Sequence, residues 1–270
     1  MAKISSALFD IGYIDTLSRQ NSLIHGIDTR VKVLTTLVFL ITIVSFKTHE
    51  ISSLFPFFIY PVFLIILADL PFSYFVRKII IVSPFAVLIG ILNPFIDQTI
   101  VLYIGKIGIS GGLISFFNIL LRFILTVLSA LILVATSGFN NICIALEKLY
   151  VPKMLVIQLL FIYRYLFVLI KEASQMSKGR KLRTFNGKGM GIKVYASLIG
   201  HLLLRALNRA QRIHMAMLSR GFDGEIRTAS NMKFDKKSFL FFILWSIVFL
   251  IMRIYNLPQI VGYFVVIILK

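Results

Sequence analysis

The sequence has little cysteine and few acidic residues. Its single cysteine, Cys143, excludes an internal disulfide, so the chain carries no sign of an oxidising compartment. Asp and Glu number 11 against 29 Lys and Arg, which gives a formal net charge of +18. Such a basic balance points to anionic partners: lipid headgroups, nucleic acids or acidic protein surfaces.

Motifs for nucleotide hydrolysis and metal binding are also missing. Gly187, Lys188 and Gly189 lack the spacing of a phosphate-binding loop and the Ser or Thr that follows its lysine. The four histidines, none of which follows a zinc-site spacing, are His25, His49, His201 and His214. We therefore expect a chain that is not an enzyme and that holds neither a metal nor a cofactor.

Long apolar runs are abundant. Hydrophobic residues make up 58% of the chain and the mean hydropathy is +0.90, whereas soluble domains are about 45–50% apolar. Because a membrane helix needs about 20 largely apolar residues, we predict four helices at residues 31–46, 51–70, 79–95 and 111–136. Asp28 is the predicted N-cap of the first. The apolar stretches 238–252 and 259–269 predict one or two further membrane helices.

The chain divides into an N-terminal membrane bundle (1–137), a basic segment (138–237) and a C-terminal membrane segment (238–270). The basic segment has 18 Lys and Arg against 5 Asp and Glu. Its pattern predicts a helical hairpin, with helices at 153–183 and 192–220, a turn at Asn186-Gly187 and a stop at Gly221. The fold class is thus an all-α integral membrane protein.

The positions of the basic residues predict the orientation. Arg77 and Lys78 follow the second predicted helix and the basic segment follows the fourth, whereas the other two connections carry little charge. Lys and Arg accumulate in cytoplasmic loops. We therefore expect a multi-pass protein of the cell membrane with the N-terminus and the basic segment in the cytoplasm. The first ~30 residues show no signal-peptide pattern, so we expect the first membrane helix to direct insertion.

Four arginines fall within about 80° of one another on the second hairpin helix at 100° per residue; they are Arg205, Arg209, Arg212 and Arg220. This basic face fits three partners. Anionic headgroups attract such residues near a membrane. Nucleic acid is disfavoured, because no nucleic-acid-binding motif accompanies the charge. An acidic groove of a partner protein would use bidentate contacts between guanidinium and carboxylate groups.

Two stretches resemble a known family. Residues 22–32, SLIHGIDTRVK, resemble an S-x-x-H-x-L-D-P-R-x-K element through His25, Asp28, Arg30 and Lys32, with Thr29 in place of proline. Residues 216–224, AMLSRGFDG, are similar to A-M-x-x-R-G-F-x-G. Both elements are typical of the transmembrane T components of energy-coupling factor (ECF) transporters, the CbiQ/EcfT family. The Phe222-Asp223-Gly224 ending is most similar to the cobalt-type branch.

The resemblance implies a function. In that family an X-Arg-X motif on each coupling helix docks into one of two ATP-binding cassette ATPase subunits. The matching positions are Leu182-Arg183-Thr184 and Ser219-Arg220-Gly221, where Thr184 departs from the usual glycine. Arg205, Arg209 and Arg212 would support this docking face. The chain would then couple the ATPases to a substrate-binding membrane S component that imports cobalt, another transition metal ion or a vitamin.

Two functions of other classes remain as alternatives. A stand-alone secondary transporter would need a polar cluster or broken helices at the membrane midplane. Arg122 is the one basic residue in the interior of a predicted span, since Lys32 lies at the very start of the first. Such a residue is either functional or bound to a headgroup or carbonyl near a helix end. A membrane-anchored basic adaptor for lipid or nucleic acid is the other alternative.

Overall fold

The computed structural model describes residues 12–47, 51–96, 100–104, 107–183, 191–224 and 235–255. We number the α-helices α1 (Thr29–Val44), α2 (Ile59–Leu67), α3 (Phe72–Gly90), α4 (Asn93–Ile96), α5 (Gly111–Ser137), α6 (Phe139–Lys148), α7 (Lys153–Arg183), α8 (Ile192–Leu218) and α9 (Lys236–Ile254). Residues 12–17 are also helical. The described elements form two units. The bundle unit contains α1–α5 and α9, and the hairpin unit contains α6–α8.

Helix α1 packs against α5 and α9 in the bundle unit. Its N-cap is Asp28, as predicted, and the Asp28 carboxylate accepts a hydrogen bond from the Arg30 backbone N–H. Thr35 and Thr36 are buried, and each hydroxyl donates at 2.8 Å to the carbonyl one turn earlier. Polar side chains inside an apolar helix are tolerated when they are satisfied in this way.

Aromatic rings fill the core of the bundle unit. The ring of Phe39 lies 4.7 Å from that of Tyr60 and 5.2 Å from that of Phe249, measured between centroids. Trp245 contacts Tyr60 edge to face at 4.8 Å. Such tilted and edge-on pairs add to the free energy of burying the rings. They tie α9 to α1 and α2, which both lie far from α9 along the chain.

The second predicted span is shorter and less regular than expected. A 3₁₀ segment, Ser52–Phe58, contains Pro56 and leads into α2, which ends at Leu67 instead of residue 70. Proline removes a backbone donor, which accounts for the irregular start. Asp69 has φ +50°, and the Leu70 N–H donates to the Ile65 carbonyl at 3.1 Å. This turn closes α2 just before Pro71.

The third predicted helix begins seven residues too late. Helix α3 starts at Phe72, with Pro71 at its N-cap, so Arg77 and Lys78 lie inside its first two turns and not in a connection. Their long side chains can extend from a helix end toward the membrane surface. Near its other end, a Cβ added at Gly90 would lie 2.8 Å from Cδ2 of Phe116. Glycine therefore allows the close approach of α3 and α5.

A two-stranded β hairpin precedes α5 and was not predicted. Strands β1 (Ile100–Ile104) and β2 (Ile107–Ser110) pair in antiparallel fashion. The fold class is still the predicted all-α membrane protein, and this short hairpin is the one addition to it among the described residues. Helix α5 begins where predicted. The Ser110 hydroxyl caps it by accepting from the Leu113 N–H at 3.4 Å.

The hairpin unit follows the predicted pattern, with helices at Lys153–Arg183 and Ile192–Leu218. In α7 only Val156 is buried among the described residues.

By length and composition, four helices of the described chain could cross a membrane: Phe72–Phe95, Gly111–Ser137, Lys153–Arg183 and Lys236–Ile254. The apolar segment Ser52–Leu67 is shorter. In the predicted C-terminal membrane segment, the structure describes one helix, α9. The second apolar stretch, 259–269, lies outside the described residues.

Candidate partner-docking site

The resembling element at residues 22–32 forms a folded turn before α1. His25 Nε2 lies 3.0 Å from the Leu17 carbonyl oxygen, and Nδ1 lies 2.8 Å from the Ser22 hydroxyl. A carbonyl can only accept, so Nε2 carries the proton and Nδ1 of the neutral ring accepts from Ser22. Burial and the nearby charge of Lys32 lower the pKa of His25, against the opposing effect of carbonyl hydrogen bonds. These contacts favour a structural role for His25 over a role as a metal ligand.

Asp28 joins the start of α1 to the start of α9. Its carboxylate is fully buried and receives the Arg30 guanidinium, with Nη2 to Oδ2 at 2.8 Å. The Asp28 backbone N–H donates to the Ser238 hydroxyl at 3.1 Å. A buried carboxylate that is both paired and hydrogen-bonded is stable where an unpaired one would not be.

Lys32 joins the start of α1 to the end of α5. Its side chain is buried, and Nζ donates at 2.9 Å to the Thr136 carbonyl in the last turn of α5. The last carbonyls of a helix have no partner within it and carry partial negative charge. Together, Asp28, Arg30 and Lys32 hold three helix ends at one end of the bundle unit. We call these three residues the three-helix clamp.

The opposite end of α1 is held by two arginines. Arg122 Nη2 donates to the carbonyls of Phe46 and Lys47 at 2.6 and 2.8 Å. Arg253 of α9 donates to the Ser45 carbonyl at 2.9 Å, with its guanidinium 4.3 Å from the ring centroid of Phe46. Of the two roles open for Arg122, this geometry favours binding to carbonyls at a helix end.

The second X-Arg-X stretch lies at a well-defined helix end. The Gly221 N–H donates to the Leu218 carbonyl, and the Phe222 N–H donates to the Met217 carbonyl, each at 3.0 Å. Gly221 has φ +77°. This pair of bonds is the Schellman motif with glycine at C′. Ser219 donates its hydroxyl to the Met215 carbonyl at 2.9 Å. Arg220 is thus exposed on a rigid turn.

The first X-Arg-X stretch is described in part. Leu182 and Arg183 end α7 and are exposed, and Thr184 lies outside the described residues. Arg183 lines a polar cavity of about 640 Å³ between α7 and α8, together with Gln175, Met176, Gly179, Arg180, Val194, Ser197, Leu198, His201 and Arg205. Three guanidinium groups therefore surround one opening that an anionic side chain could enter.

The basic face of α8 is partly engaged within the chain. Arg205 Nη1 lies 3.6 Å from Glu172 Oε1, and Arg209 Nη2 lies 3.7 Å from Oε2 of the same carboxylate. Arg212 is exposed. Sequence reasoning missed Glu172, although the signal was present, because Glu172 is the only acidic residue of α7 and α8.

The hairpin unit also exposes apolar surface. A cavity of about 470 Å³ between α7 and α8 is lined mainly by apolar side chains; it is formed by Phe161, Tyr165, Val168, Leu169, Ala206, Leu207, Arg209, Ala210, Ile213, His214, Met217 and Phe222. On α8, Ile199, Leu203 and Met215 are exposed as well. Contiguous exposed apolar surface marks a site for a protein partner or for lipid.

Metal binding finds no support in the described part of the chain. There, no group of three or more His, Cys, Asp or Glu side chains lies close enough together to hold a metal ion. His25 has both ring nitrogens engaged by Ser22 and Leu17. The N-terminal element is thus placed to hold helices together.

Fold and site together define a multi-pass α-helical membrane protein that carries an exposed, basic helical hairpin. The model of the CbiQ family, described as cobalt transport protein, matches residues 20–232. The chain therefore belongs to the CbiQ family, and it is an ECF-type transporter transmembrane component.

Three relatives show the extent of the similarity, and two of them carry names from this family. The chain is 28% identical over 246 residues to an uncharacterized protein of Methanocaldococcus jannaschii, covering 87% of this chain and 83% of that protein. It is 26% identical over 258 residues to the energy-coupling factor transporter transmembrane protein EcfT of Leuconostoc gelidum subsp. gasicomitatum, covering 86% and 94%. The cobalt transport protein CbiQ of Rhodobacter capsulatus is 30% identical over 99 residues, covering 36% and 41%.

Proposed function

We propose that this chain is the coupling subunit of an ATP-driven importer. It links two ATP-binding cassette ATPase subunits to a separate substrate-binding S component, and the ATPases perform the hydrolysis. The observation that carries the proposal is the presentation of Arg220 on the rigid Schellman turn that ends α8, with Arg183 exposed at the end of α7. A guanidinium keeps its proton throughout an ATP cycle, so each arginine can hold a partner carboxylate permanently.

In this mechanism the two arginines transmit force. Closure of the ATPase pair moves Arg183 and Arg220, and the helices that carry them move as levers. The exposed apolar surfaces of α7 and α8 offer a contact for the S component, which the moving helices reorient. Truncation of an arginine in a desolvated charge pair costs about 2–5 kcal/mol, which is enough to separate the subunits.

The docking role is tested by co-purification. The tagged chain is co-expressed with the ATPase genes of its own genome and extracted in detergent, next to the double variant Arg183→Glu/Arg220→Glu. The matched control, Lys171→Glu/Lys178→Glu, makes the same charge change at two exposed positions of α7. We expect the ATPases to be retained by the wild type and the control and to be lost from the docking variant. Absence of ATPases from all three preparations would contradict the proposal and favour transport by the chain alone.

The orientation is part of the proposal. Contacts of the three-helix clamp place the starts of α1 and α9 and the end of α5 at one end of the bundle unit. The α5 end leads into the basic hairpin unit, so the positive-inside rule assigns this end to the cytoplasm of the cell membrane. Cysteines introduced at Leu23 and Lys178 should react with a membrane-impermeant maleimide in inverted vesicles and remain unlabelled in intact cells. Labelling in intact cells would reverse the assignment.

Cobalt or another transition metal ion is the proposed substrate of the whole complex, with a vitamin as the alternative. The family description and the CbiQ relative support cobalt, whereas the relatives named EcfT carry no substrate in their names. Substrate choice would belong to the S component. Cells that express the complete complex are tested for uptake of radioactive cobalt and of labelled vitamins. The substrate that they accumulate distinguishes a metal ion from a vitamin.

A further inference from the structure

One carboxylate lies between the two long helices of the hairpin unit. Glu172 of α7 approaches Arg205 and Arg209 of α8 at 3.6 and 3.7 Å, one oxygen to each guanidinium. The Glu172 side chain is 15% exposed, against 61% and 42% for the two arginines. The carboxylate is therefore largely enclosed, and screening by water weakens this contact less than it weakens a surface ion pair.

The charge of the two helices makes this carboxylate unusual. Helices α7 and α8 together carry eleven Lys and Arg and a single acidic residue, Glu172. Two basic helices repel each other wherever they run side by side, because like charges raise the electrostatic energy. The contact through Glu172 is the ionic attraction that opposes this repulsion between the described parts of α7 and α8.

Glu172 also has a particular position along the helices. Arg183 lies eleven positions after Glu172, and Arg220 lies eleven positions after Arg209. At a rise of about 1.5 Å per residue, each docking arginine lies about 16 Å along its helix from the ion pair. The cavities beside α7 show that the helices are antiparallel, because residues 175–183 face 194–205 and residues 161–169 face 206–217. The two arginines therefore lie at opposite ends with Glu172 midway.

The ion pair marks the boundary between two different surfaces of the hairpin unit. Arg205 lines the polar cavity on the side of Arg183, and Arg209 lines the apolar cavity on the side of Met217 and Phe222. Apolar contacts are not directional, so they permit the helices to slide or to change their crossing angle. An ion pair that engages one acid from two sides favours one register of the helices, because the attraction weakens as the charges move apart.

We propose that Glu172 is a positioning residue for coupling. By binding Arg205 and Arg209 it fixes the crossing of α7 and α8, and it thereby sets the distance between Arg183 and Arg220. The two arginines are docking residues only under the proposed function, so that function is a premise of the proposal. Loss of Glu172 should leave both docking groups intact and should loosen the geometry in which they are presented.

The geometric part is tested without any partner. Spin labels are placed at Lys178→Cys on α7 and Met215→Cys on α8 of the full chain in lipid nanodiscs, in a Cys143→Ser background. Pulsed electron paramagnetic resonance then gives the distribution of distances between the labels. We expect one narrow distance peak for the labelled chain that retains Glu172. In the labelled Glu172→Gln variant, that narrow peak should be lost. The control Glu147→Gln, which removes an acid from α6 in the same unit, should keep the narrow peak.

A charge exchange separates positioning from general stability. In Glu172→Arg alone, three cations meet and the peak should broaden further than in Glu172→Gln. The triple variant Glu172→Arg/Arg205→Glu/Arg209→Glu restores attraction with the signs reversed, and it should recover the narrow peak. Failure of the triple variant to recover it, in a preparation that elutes as the wild type does in size-exclusion chromatography, would overturn the ion-pair mechanism.

The functional part uses the assembled complex. Glu172→Gln should retain the ATPase subunits in co-purification while the substrate transported per ATP hydrolysed falls. If Glu172→Gln transports with the wild-type ratio, Glu172 has no positioning role. If the wild-type chain retains no ATPase at all, the proposed function fails, and the distance measurements still decide separately whether Glu172 fixes the crossing of α7 and α8.

Discussion

Lys32 Nζ donates a 2.9 Å hydrogen bond to the carbonyl oxygen of Thr136, which lies 104 residues further along the chain. The ammonium group is buried and occupies the place where the last turn of α5 leaves carbonyls without partners. Asp28, one turn before Lys32, binds Ser238 at the start of α9. The start of α1 is thus the point where three helices of the bundle unit are fixed to one another.

We expect Lys32→Met to destabilise the bundle unit. The substitution keeps the length and apolar stem of the side chain but leaves the Thr136 carbonyl without its donor, which costs about 1–3 kcal/mol. Thermal unfolding of the purified protein in detergent measures the effect as a lower Tm. The control Lys47→Met removes an exposed ammonium group just beyond the other end of α1 and should leave Tm unchanged. Equal Tm values for both variants would contradict a clamping role.

Arg122→Leu should lower stability without uncoupling transport. The guanidinium supplies hydrogen bonds to the Phe46 and Lys47 carbonyls, and a hydrogen bond from a charged group contributes about 1.5–3 kcal/mol. Tm should fall, while substrate transported per ATP, measured well below both Tm values, should match the wild type. A normal Tm with failed transport would instead show Arg122 to be functional within the membrane.

Stability should fall in mildly acidic solution because of His25. Burial and Lys32 lower its pKa in the folded protein, so the unfolded chain, with a histidine pKa of about 6.5, binds more protons between the two values. Stability from the neutral ring is therefore complete above about pH 6.5 and is lost as pH falls through the folded pKa. His25→Gln, whose amide can donate to the Leu17 carbonyl, should reduce this pH dependence. Tm measured between about pH 5 and 8 for both proteins checks it.

Local features were predictable from the sequence and distant ones were not. The Asp28 cap, the start of α5 at Gly111 and the Gly221 stop of α8 depend on neighbouring residues, and the structure confirms all three. The contact between Lys32 and Thr136 depends on how α1 and α5 pack, and no local pattern encodes it.

The errors have similar physical causes. The predicted start of α3 is too late because basic residues such as Arg77 and Lys78 often mark a helix boundary, whereas a helix can carry such side chains near its end. The β hairpin was missed because apolar residues between two membrane helices do not by themselves reveal pairing between strands. The role of Glu172 needed the structure, since it depends on the crossing of two separate helices.

Gly221→Ala provides a direct test of how the α8 end presents Arg220. Gly221 has φ +77°, and a Cβ there would meet nothing within 4 Å, so the cost of alanine comes from the backbone alone. A left-handed conformation costs an L-residue roughly 1–2 kcal/mol, which should unwind the Schellman turn and displace the Arg220 guanidinium. We expect Gly221→Ala to weaken retention of the ATPases and to spare the fold of the bundle unit.

The matched variant at this position is Gly221→Asn, because asparagine adopts the left-handed conformation far more readily than alanine. It adds a larger side chain than alanine and yet should retain more of the ATPases in the same co-purification. If asparagine and alanine reduced retention equally, contact with the glycine itself would be required, and the backbone explanation would fail. If neither reduced it, Arg220 would not depend on the turn for its position, and the docking role of this helix end would lose its structural basis.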